Sequence, residues 1–187
     1  MSVMVTLGRS LRRTPGVRFF GSTITRMVAV GDKIPSATVF DGSPGNAVDL
    51  SKETQHGKSI IIGVPGAFSP GCTASHVPGY LRQLRLFNEK GVDKFFIVAV
   101  NDPFVVKAWS KDLLENIAGE QVKFLADAKA DLTTALDLKF DATKVFGNER
   151  SKRYALVVQD GKVVKTFVEP DNAGINVSDA TKVLSQI

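Results

Sequence analysis

The stretch Ser59-Ile60-Ile61-Ile62-Gly63-Val64-Pro65-Gly66-Ala67-Phe68-Ser69-Pro70-Gly71-Cys72-Thr73 places a strand, a turn and a helix start in direct succession. Ser59 to Val64 is apolar at consecutive positions and rich in β-branched side chains, as in a strand buried on both faces. Pro65 and Gly66 end it. Ser69 suits a helix N-cap and Pro70 the first helical position, which sets Cys72 on the third. A buried strand running into a helix is half of a βαβ unit, so the chain belongs among α/β folds.

Working outward, further strands are expected at Ala37–Phe40, Phe95–Val100, Val122–Ala126, Tyr154–Gln159 and Val163–Val168. Helical spacing separates them. Tyr80, Leu81, Leu84 and Phe87 share one face, with Arg82, Gln83, Arg85 and Glu89 outward and Gly91 as a stop. Asp102 and Pro103 open a helix containing Phe104, Ala108 and Leu113, and Ser178 is expected to cap a last helix ending near Ser185. Asp160-Gly161 is a strong hairpin turn, which makes the last two strands antiparallel. This order describes an α/β sandwich of thioredoxin-like order: a central mixed β-sheet flanked by helices.

The chain has 187 residues, enough for one domain with a substantial core, and the domain is expected over residues 28–187. No apolar run approaches the roughly 18 residues of a membrane span. The 24 basic side chains exceed the 19 acidic ones by five, and Arg9, Arg12, Arg13, Arg18 and Arg26 precede the first acid, Asp32. Removing them leaves 19 of each sign, so the domain itself offers no general attraction to a polyanion and nucleic acid is not expected as its partner. An Arg-rich, Ser/Thr-containing, acid-free leader reads as a mitochondrial targeting presequence over residues 1–27, directing the domain to the matrix. Arg18-Phe19-Phe20-Gly21-Ser22 resembles a processing site, with the mature chain starting within Phe20–Val28. Met27 offers an alternative start for a cytosolic form. The competing reading is a basic disordered tail that touches nucleic acid or lipid.

One cysteine excludes an internal disulfide. A helix N-terminus favours an anion there, because free backbone N–H groups and the helix dipole stabilise a thiolate. Pro78 has no N–H to bond the Ala74 carbonyl, so the turn bearing Cys72 is weakly held and could open locally. On spacing alone, an inert buried cysteine and a nucleophile both remain open. Two histidines and one cysteine cannot supply a structural zinc site, and neither a P-loop nor a dinucleotide fingerprint is present.

Pro65 to Cys72 resembles the active-site signature of the peroxiredoxins. Val64-Pro65-Gly66-Ala67-Phe68, His76-Val77-Pro78-Gly79-Tyr80, Val100-Asn101-Asp102-Pro103-Phe104 with Ala108-Trp109, Phe124-Leu125-Ala126-Asp127 and Lys152-Arg153-Tyr154 with Val157-Val158-Gln159-Asp160-Gly161 narrow the resemblance to the type II, peroxiredoxin-five-like subfamily. It covers nearly all of Val28 to Ile187.

The resemblance implies a thiol-specific peroxidase, without cofactor or metal, acting on hydrogen peroxide and alkyl hydroperoxides. Cys72 would be the peroxidatic nucleophile that becomes a sulfenic acid. The Ser69 hydroxyl, where the family usually has Thr, would bond the thiolate and the peroxide. Arg153 would hold the thiolate and stabilise charge developing on the O–O bond, Pro65 would shield the sulfur, and the Gly71 and Cys72 amides would bind peroxide oxygens. His76, four residues after Cys72, is expected to be structural or adjacent to the pocket, and His56 to be solvated. The resolving cysteine of many relatives would fall near Val177, where this chain reads Gly174-Ile175-Asn176-Val177-Ser178. A one-Cys variant is therefore implied, resolved by an external thiol: glutathione, glutaredoxin or thioredoxin. A homodimer is also implied, with Phe68 and Phe104 as candidate contacts. The alternatives are a redox sensor or chaperone-like binding module of the same fold, and a glutaredoxin-type thiol transferase. The transferase fits less well because Pro70 precedes Cys72 instead of following it.

Overall fold

The computed structural model describes residues 26–117 and 119–187. The expected presequence lies outside the described residues except for its last two positions, of which Arg26 donates to the Asp32 carboxylate at 2.7 Å. Seven strands form the main sheet: β1 (Thr38–Asp41), β2 (Ala47–Asp49), β3 (Lys58–Val64), β4 (Val92–Ala99), β5 (Val122–Ala126), β8 (Tyr154–Gln159) and β9 (Lys162–Val168). Their spatial order is β2-β1-β5-β4-β3-β8-β9. β3, β4 and β5 are parallel neighbours, whereas β1 joins β5 and β8 joins β3 antiparallel, so the sheet is mixed as expected. β6 (Lys139–Asp141) and β7 (Glu149–Ser151) form a separate antiparallel pair that the sequence pattern did not announce.

The central strands explain their own continuous hydrophobicity, because successive side chains point to opposite faces. Ile60, Ile62, Phe95 and Ile97 enter one core with Tyr80, Phe87 and Trp109, while Ile61, Phe96 and Val98 enter the other with Leu50, Leu132 and Leu156. Helices α2 (Val77–Arg82), α3 (Leu84–Glu89), α4 (Pro103–Leu114) and α7 (Ala180–Ser185) cover the first face; α1 (Leu50–Glu53) and α5 (Asp131–Ala135) lie on the second. The remaining helix, α6 (Thr143–Phe146), bridges β6 and β7. Among the described residues no helix is long and apolar enough to cross a membrane.

The β8–β9 turn follows the sequence reading, with Asp160 and Gly161 both left-handed at φ 49° and 77°. Asp102 caps α4 as expected, its carboxylate accepting the Phe104 and Val105 amides at 2.9 and 3.0 Å. Two helix expectations need correction. The single helix expected through Tyr80 and Phe87 is broken at Gln83, whose side-chain amide donates to the Gly79 carbonyl at 3.2 Å while its backbone N–H goes to Tyr80 at 3.0 Å. This tighter step still keeps Leu84 and Phe87 on the buried face. The last helix is capped by Asp179, which accepts from the Thr181 amide at 2.9 Å, because the Ser178 hydroxyl is turned toward Glu169.

Candidate active site

β3 ends at Val64, and the chain passes through buried Pro65 and Gly66 into a turn that delivers Cys72. Gly66 is required by close approach: a Cβ there would meet the Phe146 ring at 2.9 Å. Phe68 is left-handed at φ 59°, a conformation that costs a bulky residue about 1–2 kcal/mol. The Asn101 carboxamide accepts the Ala67 amide at 3.0 Å and braces this strained turn from the end of the neighbouring parallel strand.

The helix then starts differently from the sequence expectation. Pro70 is already helical, and the Thr73 amide donates to the Ser69 carbonyl at 2.9 Å. The Ser69 side chain supplies no cap, because its hydroxyl donates backward to the Gly66 carbonyl at 2.9 Å. Among the described contacts it makes no bond to Cys72, although its lone pairs remain free to accept. From Gly71 to His76 the backbone is a π-helical turn, with the Val77 amide bonded to the Cys72 carbonyl. Pro78 gives the reason: without an N–H it cannot bond Ala74, and widening the turn moves its ring away from that carbonyl. Cys72 therefore sits second in a widened turn that α2 continues. The Thr73 hydroxyl accepts from the Trp109 indole N–H at 3.0 Å, which ties this turn to α4.

The Cys72 sulfur is fully buried. Arg153, separated by 81 positions in sequence, is only 3% exposed, and its Nη1 donates to Sγ across 3.4 Å. Arg153 reaches the site because it immediately precedes β8, the antiparallel neighbour of β3. Its own amide donates to the Asn172 carbonyl at 2.7 Å and its Nε to the Ala173 carbonyl at 2.9 Å. A Cβ on Gly71 would stand 3.1 Å from Nη2 and 3.6 Å from Ile175 Cδ1. Gly71 thus leaves room for the guanidinium, and the segment carrying Ile175 closes over it. That segment, Gly174 to Ser178, holds no cysteine.

Of the residues expected at the site, Cys72, Arg153 and Gly71 come together. Pro65 is buried at the preceding strand end, and Ser69 lies in the approach turn with its proton directed elsewhere. His56 is exposed. His76 is 1% exposed, with Nε2 placed to donate to the Ser178 carbonyl at 3.1 Å and Nδ1 without a partner among the described residues. Burial, followed by the Arg153 cation, lowers its imidazole to about 3, and the bond to Ser178 offsets this only in part. A ring neutral at physiological pH and this reluctant to take a proton is a poor general base. Its free-energy signature is in stability. The unfolded ring takes up a proton from about pH 6.5 downward and the folded ring does not, so stability held above that pH falls by about 1.4 kcal/mol per pH unit toward pH 3. His76→Leu is expected to remove this one-proton slope from denaturant unfolding measured between pH 6 and 4. An unchanged slope would assign it to other groups.

Sequence reasoning missed Glu169 and the carbonyls of Ala173 and Ser178. Carbonyl roles have no sequence signal. Glu169 left a faint one, an acid directly after an apolar strand, but only burial gives it meaning.

The Redoxin family model matches residues 29–184 of this chain. Peroxisomal membrane associated protein 20 of Schizosaccharomyces pombe is 46% identical over 163 residues, covering 86% of this chain and 100% of that protein. Peroxiredoxin-2C of Oryza sativa subsp. japonica is 39% identical over 167 residues, covering 86% and 98%. Among solved structures, reduced Prx3 of Vibrio vulnificus in complex with hydrogen peroxide aligns with a TM-score of 0.78 at 34% identity, covering 86% of this chain and 100% of that one. Peroxiredoxin 5 of Alvinella pompejana aligns with a TM-score of 0.73 at 34% identity, covering 85% and 98%.

Proposed function

The chain belongs to the redoxin family as a peroxiredoxin, a thiol peroxidase, and from that premise we propose that it reduces hydrogen peroxide and alkyl hydroperoxides through Cys72 alone. The observation that supports this most is the 3.4 Å approach of the Arg153 guanidinium to a buried sulfur at the start of a helix. A cation and helix-start amides are placed where negative charge develops as the sulfur attacks. The Sγ lone pair forms a bond to the terminal peroxide oxygen and the O–O bond breaks. The electron pair leaves on the alkoxide or hydroxide, which takes up a proton. Sulfur is oxidised to the sulfenic acid, and the peroxide is reduced to alcohol or water.

Arg153 stabilises the negative charge spreading along the breaking bond, the Gly71 and Cys72 amides bind the peroxide oxygens, the Ser69 hydroxyl oxygen accepts a hydrogen bond from the peroxide O–H, and Pro65 shields the sulfur. With no second cysteine in these 187 residues, an external thiol attacks the sulfenic sulfur, releasing water and leaving a mixed disulfide. A second thiol then restores Cys72. Glutathione with glutaredoxin, or thioredoxin, is the proposed reductant. The role is antioxidant defence in the mitochondrial matrix, supported by the acid-free Arg-rich leader. A second copy of the chain is the proposed partner at the exposed Phe68 and Phe104, which follow the adjacent parallel strands β3 and β4 and so lie at one end of the sheet.

Intact-mass measurement after one equivalent of hydrogen peroxide tests the chemistry. The expected result is a one-oxygen adduct, replaced by a single glutathione adduct when that thiol is present. An unchanged mass would sink the peroxidase reading, and a lasting disulfide to one partner protein without turnover would indicate a sensor.

A further inference from the structure

We infer that Glu169, a buried carboxylate outside the Cys72–Arg153 pair, is a positioning residue for Arg153, cinching the segment whose Ala173 carbonyl aims the guanidinium at Cys72. The inference rests on the peroxidase reading for its rate consequences. Glu169 is 1% exposed and follows β9 directly. Its Oε1 accepts three bonds: from the Asn176 amide at 2.7 Å, and from the Ser178 amide and hydroxyl at 2.8 Å each. Its backbone N–H donates to the Arg153 carbonyl at 3.0 Å, and its carbonyl accepts the Asn172 amide at 3.2 Å. One residue therefore gathers both ends of the Glu169–Ser178 segment.

Between those ends lie the two carbonyls that hold Arg153: Asn172, which takes the backbone amide, and Ala173, which takes Nε. An Asp171 turn stiffens the middle, with Oδ1 accepting the Gly174 amide at 2.7 Å. The far end is fastened to the Cys72 helix, because the Ser178 carbonyl accepts the Tyr80 hydroxyl at 2.7 Å and the His76 Nε2–H at 3.1 Å. Glu169 is thus the node where the frame of Arg153 meets the frame of Cys72. A charge is suited to this node, since a carboxylate oxygen accepting three donors makes stronger bonds than an amide or hydroxyl would.

The carboxylate makes no ion pair with Arg153 among the described residues, and its Oε2 has no partner. A direct pair would draw the guanidinium away from the sulfur. Held at one remove, the acid leaves the Nη1 proton directed to Sγ.

Two readings free of peroxide turnover test this. Alkylation of Cys72 by iodoacetamide at fixed pH reports the reactivity of the sulfur; fluorescence of Trp109, which bonds Thr73 in the Cys72 turn, reports oxidation in rapid mixing. Glu169→Ala is expected to slow alkylation, as is expected of Arg153→Met, and to slow oxidation by about 10- to 100-fold, as expected for a reacting group misplaced by an ångström or less. Glu169→Gln, which keeps an oxygen for the same three donors, is expected to recover most of the loss. In the double variant with Arg153→Met, the loss from Glu169→Ala is expected to shrink to within about twofold, because a residue acting through Arg153 has nothing left to position. If Glu169→Ala does not fold, Ser178→Ala removes one of the three bonds, and a smaller slowing of both reactions is expected. Unchanged alkylation and oxidation rates in a folded variant, a glutamine as impaired as the alanine, or full slowing in the double variant overturns the inference. A wild-type protein that alkylates normally but ignores peroxide would overturn the peroxidase reading instead, leaving the alkylation test intact.

Discussion

Cys72→Ser is expected to abolish peroxide reduction while leaving the fold in place. Serine matches cysteine closely in shape, and its hydroxyl can accept the proton that Arg153 Nη1 now gives to sulfur, so the buried site need not reorganise. Stability should stay within about 1–2 kcal/mol of the wild type. The chemistry has no such tolerance: an alcohol at neutral pH supplies almost no oxyanion, and oxygen is a far weaker nucleophile toward peroxide than a thiolate. Peroxide consumption coupled to glutathione or thioredoxin should fall to background, and neither the one-oxygen nor the glutathione adduct should form. Residual turnover above background would mean that this chain reduces peroxide by a route other than its one thiol.

Arg153→Met is expected to slow oxidation by about 10²- to 10³-fold, the range observed when one preorganised donor to a developing negative charge is removed. Methionine fills similar space without charge, so the variant isolates the electrostatic contribution. The Ala173 carbonyl loses its partner at a cost of about 1–3 kcal/mol, a loss of stability that denaturant unfolding reads separately. Unfolding and oxidation therefore report different things, and only the oxidation rate should collapse. A second-order rate constant for hydrogen peroxide within threefold of the wild type would remove Arg153 from the chemistry.

The uneven legibility of this chain follows from which interactions are local. β3, β5, β8 and the Asp160-Gly161 hairpin were readable because apolar runs and turn residues act over a few positions. The Asp102 cap was readable for the same reason. The break at Gln83 depends on where one side-chain amide finds a carbonyl, and Ser178 lost its expected capping role to an acid nine positions earlier. Ser69 reads as an N-cap in the sequence, but in the fold it caps nothing, because its proton goes to the Gly66 carbonyl. The short β6–β7 pair has no strong alternation, and its strands are too brief to register as a pattern.

By itself the sequence determined the α/β layering, the antiparallel last hairpin, the position of the single thiol just after a buried strand, and the absence of an internal partner for it. Periodicity, turn chemistry and composition are properties of neighbouring residues, so they survive without coordinates. Tertiary structure alone decided the route by which Arg153, expected at the thiol from a resemblance, is held there by the Asn172 and Ala173 carbonyls, that Pro78 widens the preceding turn, and that Glu169 closes the segment between them. Each depends on residues brought together by the pairing of β3 with β8 and the return of the chain after β9. Burial then turns those meetings into chemistry, because a cation, a sulfur and a carboxylate removed from water act on one another far more strongly than the same groups would on an open chain.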